Sequence, residues 1–305
     1  MNKLLCIGEA LIDMICTDKG KPLSQGEHFL KKAGGAPANV AAAAAALGGE
    51  VEMVAKVGVD PFGQHLVDVM KEMGVGTQLV FRDPRHFTTF AFVSLMENGE
   101  RDFYFNRGAD GQLSTDDLSG IDLNEVALVH FGSATGFLPG PLQAAYVHLL
   151  QEARKRNLFV SFDPNYRELL FGNNKASFVE QSWPFLTACD FFKVSDEEAM
   201  LLTSADSLEN AANVLLEKTT AVFAITLGAA GTMLGYKSAT HVVESIPVKP
   251  VDTTGAGDAF VGAVLYQLLQ LPASSRKELG IDEWKQLVRN GNKAGARTCE
   301  YMGAM

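Results

Sequence analysis

The sequence has few cysteines and no long apolar segment, and each scarcity excludes a class of protein. Its 305 residues include four cysteines without a C-x-x-C pair and six histidines without metal-site spacing. We therefore expect free thiols in a reducing compartment. No apolar run is long enough to span a membrane. Glu9 and Asp13 interrupt the apolar start, which favours a buried strand over a signal peptide and predicts a cytoplasmic protein.

Three common catalytic signatures are also missing. The sequence has no G-x-x-x-x-G-K-[ST] of a P-loop enzyme, no G-x-G-x-x-G after its first strand-like run, and no G-x-S-x-G hydrolase elbow. The net charge of −10 argues against a nucleic-acid surface. The hydrophobic content of 47% supports a sizeable core. This length fits one large α/β domain, alone or with a small appendage.

Strand-like and helix-like segments alternate along most of the chain. The apolar runs typical of buried strands are residues 4–7, 51–57, 126–131, 159–162, 191–194 and 221–226. The segments typical of helices are residues 64–73, 141–156 and 208–218. This alternation predicts an α/β fold with a mostly parallel central sheet flanked by helices. Ligands bind at the carboxyl ends of the strands in such sheets.

One segment breaks the alternation. Residues 88–96 and 101–106 are rich in β-forming residues, and Asn98-Gly99 between them is a strong hairpin signal. We predict a small β lid of residues 14–33 and 88–107. The discontinuous core would then comprise residues 1–13, 34–87 and 108–305. An exposed lid edge is a template for strand pairing, so we expect a homodimer through the lids.

The most informative stretch is Asp252-Thr253-Thr254-Gly255-Ala256-Gly257-Asp258-Ala259-Phe260, which leads into an apolar, helix-like segment. A turn with two glycines lets backbone N–H groups approach a ligand. The first N–H groups of a helix also lack internal partners, so this place suits a phosphate. A carboxylate at Asp258 is understandable there if it takes a proton from the hydroxyl that attacks the phosphoryl group. The alternative is a glycine turn in which Asp258 only caps the helix.

A second glycine-rich stretch, Ala33-Gly34-Gly35-Ala36-Pro37-Ala38-Asn39-Val40, precedes an alanine-rich helix. Pro37 suits the first helical turn, and the glycine pair allows a ligand to approach closely. Asn39 offers both a donor and an acceptor. An ordinary loop is the alternative interpretation.

These stretches resemble the two motifs of the ribokinase-like (PfkB) sugar kinases, with residues 34–41 matching the first and 252–260 the second. Residues 98–103, 162–167 and 193–198 are similar to the fructokinase branch. The resemblance covers essentially the whole chain and implies a three-layer ribokinase-like sandwich with a β-sheet lid. It also implies a kinase that uses ATP and Mg²⁺. The implied acceptor is the 6-hydroxyl of D-fructose. The alternatives are an aminoimidazole riboside, ribose, 2-keto-3-deoxygluconate or a nucleoside, or a non-catalytic sugar-binding regulator.

The resemblance further implies residue roles in catalysis and sugar binding. Asp258 would be the general base, and the anion hole would be formed by the N–H groups of Gly255, Ala256, Gly257 and Asp258. The sugar would be held by Asp13, Gly34, Gly35, Asn39 and Arg107.

It likewise implies the nucleotide and cation sites. The nucleotide would be bound by Lys193, Thr226, Gly228, Gly231 and Asn292. Glu198 would orient Mg²⁺ through water, although Ser195 stands where the family's N-x-x-E motif has Asn. Asp252 and the Thr254 carbonyl resemble a K⁺ site whose other ligands lie near and beyond Gly303.

Overall fold

The structure, a computed structural model, describes residues 2–97, 101–132, 135–172, 174–301 and 303. In these residues the strands are β1 (Lys3–Ile7), β2 (Leu11–Cys16), β3 (Phe29–Gly34), β4 (Glu50–Gly58), β5 (Val80–Asp83), β6 (Phe90–Leu95), β7 (Arg101–Asn106), β8 (Val126–Gly132), β9 (Phe159–Asp163), β10 (Phe191–Ser195), β11 (Val222–Thr226), β12 (Thr232–Tyr236) and β13 (Ala239–Val243). The α-helices are α1 (Ala36–Ala46), α2 (Pro61–Glu72), α3 (Thr115–Leu118), α4 (Pro141–Lys155), α5 (Glu168–Phe171), α6 (Lys175–Ala188), α7 (Asp196–Thr203), α8 (Leu208–Lys218), α9 (Ala256–Leu269) and α10 (Ile281–Thr298).

The central sheet has nine strands in the order β13-β12-β11-β10-β9-β8-β1-β4-β5. Its strands are parallel from β5 to β11, and β12 and β13 add an antiparallel edge. Successive side chains of a strand point to opposite faces. In β1, Leu4 and Cys6 therefore pack with α1, α9 and α10, whereas Leu5 and Ile7 pack with α4, α6 and α8. This confirms the predicted mostly parallel sheet with a helical layer on each face.

The alanines of α1 allow an unusually close approach to α9. A Cβ atom built on Gly262 of α9 would lie 2.6 Å from the Ala43 Cβ and 2.9 Å from the Val40 carbonyl oxygen. The contact therefore requires glycine on one helix and small residues on the other. As a result, the first turn of α1, with Asn39, lies beside the first turn of α9, with Asp258.

A second, smaller sheet has the order β3-β2-β6-β7. The predicted strands at 88–96 and 101–106 form the antiparallel pair β6 and β7, whereas β2 and β6 are parallel. The expected turn residues Asn98, Gly99 and Glu100 lie outside the described residues. The separate small sheet is confirmed, while the proposed bounds of core and lid stay a prediction.

Helix α2 begins at Pro61, and the Asp60 carboxylate caps it by accepting from the Phe62 and Gly63 N–H groups at 3.0 and 2.8 Å. The strands β12 and β13, which the sequence pattern does not predict, lie just before residues 245–251. Within the described residues, no helix combines the length and apolar character needed to cross a membrane.

Candidate active site

The glycine turn before α9 presents free backbone donors. Gly255 has a φ of 77°, which glycine adopts without strain. Among the described residues, the N–H groups of Gly255, Gly257 and Asp258 have no hydrogen-bond partner, whereas the Ala256 N–H donates to the Thr253 carbonyl at 3.3 Å. Three donors at the positive end of a fourteen-residue helix are thus available to an anion.

The carboxylate of Asp258 lies in the same helical turn and is 8% exposed. Its Oδ2 accepts a hydrogen bond of 2.8 Å from the Nδ2 of Asn39. Burial raises the pKa of Asp258 from 3.8 to about 6, against the lowering effects of Asn39, Lys193 and Arg167. Such a carboxylate is still mostly ionised at pH 7, yet it is a better proton acceptor than an exposed aspartate.

Asn39 carries a second feature that suits a polar ligand. Its Oδ1 is buried and has no hydrogen-bond partner in the described part of the chain. A buried polar atom without a partner is costly, so such atoms are usually satisfied by water or ligand. The orphaned acceptor and the Asp258 carboxylate belong to directly bonded side chains.

The glycine pair before α1 brings the backbone close to the small sheet. Gly35 has a φ of 107°, and a Cβ built on it would lie 2.4 Å from the Glu9 carbonyl oxygen. A Cβ on Gly34 would lie 2.1 Å from the Asp13 Oδ2. The glycines therefore allow the Asp13 carboxylate to pack against the chain that leads to Asn39.

Asp13 is a second, partly buried carboxylate in this region. Burial raises the pKa of Asp13 to about 6, while Arg167 lowers it and Asp258 raises it further. Arg167 therefore acts electrostatically on both carboxylates. No role for Arg167 was expected from the sequence, although it follows β9 within residues 162–167, which are similar to fructokinases.

Lys193 places a positive charge against the glycine turn. Its Nζ lies 3.3 Å from the Asp163 Oδ2 and would be 3.0 Å from a Cβ built on Gly257. Burial alone would lower the pKa of Lys193, but Asp163, Glu198 and Asp258 together raise it. The ammonium is thus charged beside the free N–H groups, where a phosphate would also lie.

Glu198 is held by backbone donors at the start of α7. Its two carboxylate oxygens accept from the Tyr166 N–H at 2.6 Å and the Ser195 N–H at 2.7 Å. The Ser195 hydroxyl in turn accepts from the Glu198 N–H, which completes a capping box. Each carboxylate oxygen keeps a further lone pair, and Mg²⁺ needs only one or two carboxylates besides water and phosphate oxygens. The residues therefore fit the predicted magnesium role.

The predicted nucleotide residues lie near the sheet's antiparallel edge. Thr226 ends β11, and Gly228 and Gly231 have φ values of 57° and 101°. The amide of Asn292 is turned inward: its Nδ2 donates to the Val243 carbonyl at 2.9 Å, and its Oδ1 accepts from Thr232 at 2.7 Å. Asn292 thus ties α10 to β12 and β13, and its role at a nucleotide cleft stays a prediction.

Arg107 binds the loop that follows β8. Its guanidinium donates to the carbonyls of Pro139 and Thr135 at 2.9 and 3.1 Å, and its Nε lies 3.5 Å from the Asp110 Oδ2. Among the described residues it makes no hydrogen bond with Asp13, Asn39 or Asp258. Its predicted contact with the sugar therefore stays a prediction.

Asp252 joins the glycine turn to the chain's last described residue. Its Oδ1 accepts from the N–H and hydroxyl of Thr254 at 2.9 and 2.7 Å, and its Oδ2 accepts from the Gly303 N–H at 2.9 Å. The segments expected to hold a monovalent cation thus meet at one carboxylate. Residues 304 and 305, expected to lie near further ligands, are outside the described residues.

Residues 1–305 match the model of the pfkB family of carbohydrate kinases. Fructokinase-1 of Zea mays is 35% identical over 305 residues, covering 99% of this chain and 93% of the relative.

Solved structures agree with that match. A fructokinase double mutant from Vibrio cholerae O395, bound to fructose, ADP and potassium ion, is 30% identical with a TM-score of 0.85, covering 100% of this chain and 94% of that chain. Aminoimidazole riboside kinase from Salmonella enterica, solved with aminoimidazole riboside and an ATP analogue, is 27% identical with a TM-score of 0.82. The match covers 100% of this chain and 95% of that chain. These likenesses confirm the predicted ribokinase-like fold. The chain belongs to the pfkB family of carbohydrate kinases and is a sugar kinase.

Proposed function

We propose that the protein transfers the γ-phosphoryl group of ATP to the 6-hydroxyl of D-fructose. The observation that carries this proposal is the placement of the Asp258 carboxylate in a helical turn with three unpartnered backbone N–H groups. A base and an anion-binding turn thereby lie side by side. Phosphoryl transfer to an alcohol needs this pair.

The sugar would bind between the small sheet and the first turns of α1 and α9. The Asp13 carboxylate and the free Oδ1 of Asn39 are hydrogen-bond acceptors for sugar hydroxyls. Arg167 balances the negative charge of Asp13 and Asp258. A closed small sheet would exclude water, which competes with the sugar as phosphoryl acceptor.

In the reaction, Asp258 accepts the proton of the 6-hydroxyl as the sugar oxygen attacks the γ-phosphorus. The new bond joins that oxygen to phosphorus. The bond between the γ-phosphorus and the bridging oxygen breaks, and its electron pair remains on ADP. The three N–H groups and the Lys193 ammonium stabilise the charge on the transferred group.

Two cations complete the proposal. Glu198 would hold Mg²⁺ through water, and a bound Mg²⁺ supplies charge neutralisation of the phosphates. Asp252, the Thr254 carbonyl and the segment at Gly303 would hold K⁺ beside the glycine turn.

A coupled ADP-release screen tests the acceptor. Its arms are fructose, ribose, an aminoimidazole riboside, 2-keto-3-deoxygluconate and a nucleoside. We expect fructose to give the highest kcat/KM, as supported by the likeness to Fructokinase-1 of Zea mays. A higher value for another acceptor would overturn the fructose assignment. Sugar binding without ADP release from any acceptor would instead favour a regulator.

The variant Asp258→Asn tests the base. It keeps a side-chain oxygen that can accept from Asn39 but cannot take a proton at neutral pH. We expect kcat to fall by about 10²- to 10⁴-fold while the Kd for fructose changes little. Asp282→Asn, which removes an exposed aspartate from the first turn of α10, is the matched control. Wild-type kcat in Asp258→Asn would show that the base is another group.

A further inference from the structure

A cavity of about 360 Å³ lies at the opposite end of the central sheet from Asp258. Its lining includes Phe159 and Val222, the first residues of β9 and β11, whereas the active-site residues lie at or beyond the strands' carboxyl ends. A five-residue strand is about 13 Å long, so this cavity is separate from the phosphoryl-transfer site. Its volume is within the range of small-molecule sites.

The cavity is positively charged in a protein whose net charge is −10. Its charged lining residues are Arg154, Lys237, Arg276, Lys277, Asp190 and Glu278. Four basic side chains thus face two carboxylates, leaving an excess of two positive charges. Such an excess favours a doubly charged anion.

Lys277 is already paired within the described part of the chain. Its Nζ lies 3.2 Å from the Asp190 Oδ1 and donates to Asn157 Oδ1 at 3.0 Å and to the Leu158 carbonyl at 3.3 Å. Asp190 and Lys277 therefore form an ion pair in the cavity lining.

The other three cations keep unused donors. The guanidinium of Arg154 lies 3.9 Å from Asp190, beyond hydrogen-bond distance, and makes no hydrogen bond among the described residues. Lys237 makes none either; its ammonium lies 5.2 Å from the centroid of the Tyr236 ring. Neither contact uses an N–H donor, so both side chains can offer their donors to a ligand.

Arg276 adds a buried charge without an acidic partner in the described chain. It is 3% exposed, and its Nε and Nη2 donate to the Leu268 and Leu269 carbonyls at the end of α9 and to Asn2 Oδ1. Its Nη1 donates to no described residue. A buried cation without a counter-ion is unfavourable, and an anion in the cavity would relieve that cost.

We propose that this cavity binds a phosphate dianion, either as free phosphate or as the phosphate group of a small phosphomonoester. Two guanidinium groups and an ammonium supply the forked and point-charge donors that recognise phosphate. Two charges on the ligand match the excess on the lining. Tyr236 and Trp284 line the same space and offer apolar surface for the rest of an ester.

Trp284 also supplies a reporter for the test. The protein has two tryptophans, so Trp183→Phe leaves Trp284 as the single source of indole fluorescence. This variant is titrated with inorganic phosphate, with fructose 6-phosphate and with fructose, to about 10 mM at constant ionic strength. Isothermal calorimetry on the same proteins repeats the comparison without relying on fluorescence.

We expect saturable binding of phosphate and of fructose 6-phosphate that depends on the cavity cations. Fructose, the proposed substrate, binds at the active site and should bind equally in the cavity variant and its control. A cavity-dependent affinity that is higher for the ester identifies a phosphomonoester as the ligand class, and equal cavity-dependent affinities identify free phosphate. Adding Arg154→Gln and Lys237→Gln should weaken binding by about tenfold or more, because two charge-assisted donors are lost. The control pair Lys71→Gln and Lys155→Gln removes the same charge outside the cavity and should leave the affinity unchanged.

Two results would overturn the proposal. One is the absence of saturable phosphate binding by both methods. The other is equal affinity in the Arg154→Gln/Lys237→Gln protein and its control, which would assign the binding to the active site or to the general surface. Both cavity substitutions are at side chains without hydrogen bonds in the described residues, so folding should be preserved.

Discussion

Replacing Asp258 with asparagine should make the protein more stable at pH 7, because the buried carboxylate is held at a cost. The pKa of Asp258 is raised from 3.8 to about 6 in the folded chain. The folded state therefore binds this proton more tightly than the unfolded state does. The cost of the ionised form is fully present above pH 6 and disappears below about pH 4.

The magnitude follows from the shift. About two pKa units correspond to about 3 kcal/mol in the free energy of unfolding, since each unit is worth about 1.4 kcal/mol. This shift already includes the favourable attraction of Lys193 and the hydrogen bond from Asn39, so it is the net cost of the charge. For a chain of 305 residues, 3 kcal/mol raises Tm by about 5 °C.

Calorimetric melting of wild type, Asp258→Asn and the control Asp282→Asn between pH 4 and pH 8 measures the effect. We expect the Asp258→Asn curve to lie above wild type at pH 7 and to merge with it near pH 4. The control should follow wild type throughout. A variant that is no more stable than wild type at pH 7, or whose advantage does not shrink toward pH 4, would refute the account of a destabilising buried charge.

Three further outcomes are expected. Burial holds the pKa values of Asp13 and Asp258 near 6, and both carboxylates must be ionised for the reaction. The log of kcat/KM for the sugar should therefore fall below pH 6 with a slope approaching two. A slope of one with a midpoint near pH 4 would contradict the requirement that both are ionised. Gly262→Ala should lower the unfolding free energy by about 1–3 kcal/mol, because its Cβ would lie 2.6 Å from that of Ala43, whereas Gly120→Ala, with open space around it, should melt like wild type. Light scattering should show the mass of a dimer, which we expect to join through the edges of the small sheet, where Tyr104 is 59% exposed. The mass of a monomer at micromolar concentration would contradict this prediction.

The architecture was predictable because its signals are local. Apolar runs alternate with helical segments, and Asn98-Gly99 lies between two β-rich runs, so the parallel sheet and the pair β6–β7 follow from short stretches. The edge strands β12 and β13 were not predicted, because the turn between them lacks the usual local signal. That turn contains Lys237 at a φ of 53°, a conformation that turn sequences usually signal with glycine or asparagine.

The candidate site was only partly predictable. The glycine turn and Asp258 form a contiguous string, but the bond from Asn39 to Asp258 joins two helices far apart in the chain. It depends on the close packing of α1 against α9 at Gly262. The effect of Arg167 on two carboxylates likewise arises from the fold, since neither carboxylate is its neighbour in sequence.

The parallel pairing of β2 with β6 has a consequence for the order of folding. Ile12 lies beside Phe90, and β3, α1, β4, α2 and β5 come between these two strands in the chain. The hairpin β6–β7 can form from neighbouring residues, but its union with β2 must wait until that long intervening stretch has compacted, because closing a long loop costs entropy. We therefore expect β6 and β7 to join β2, and so to complete the small sheet that carries Asp13, only after the core has formed.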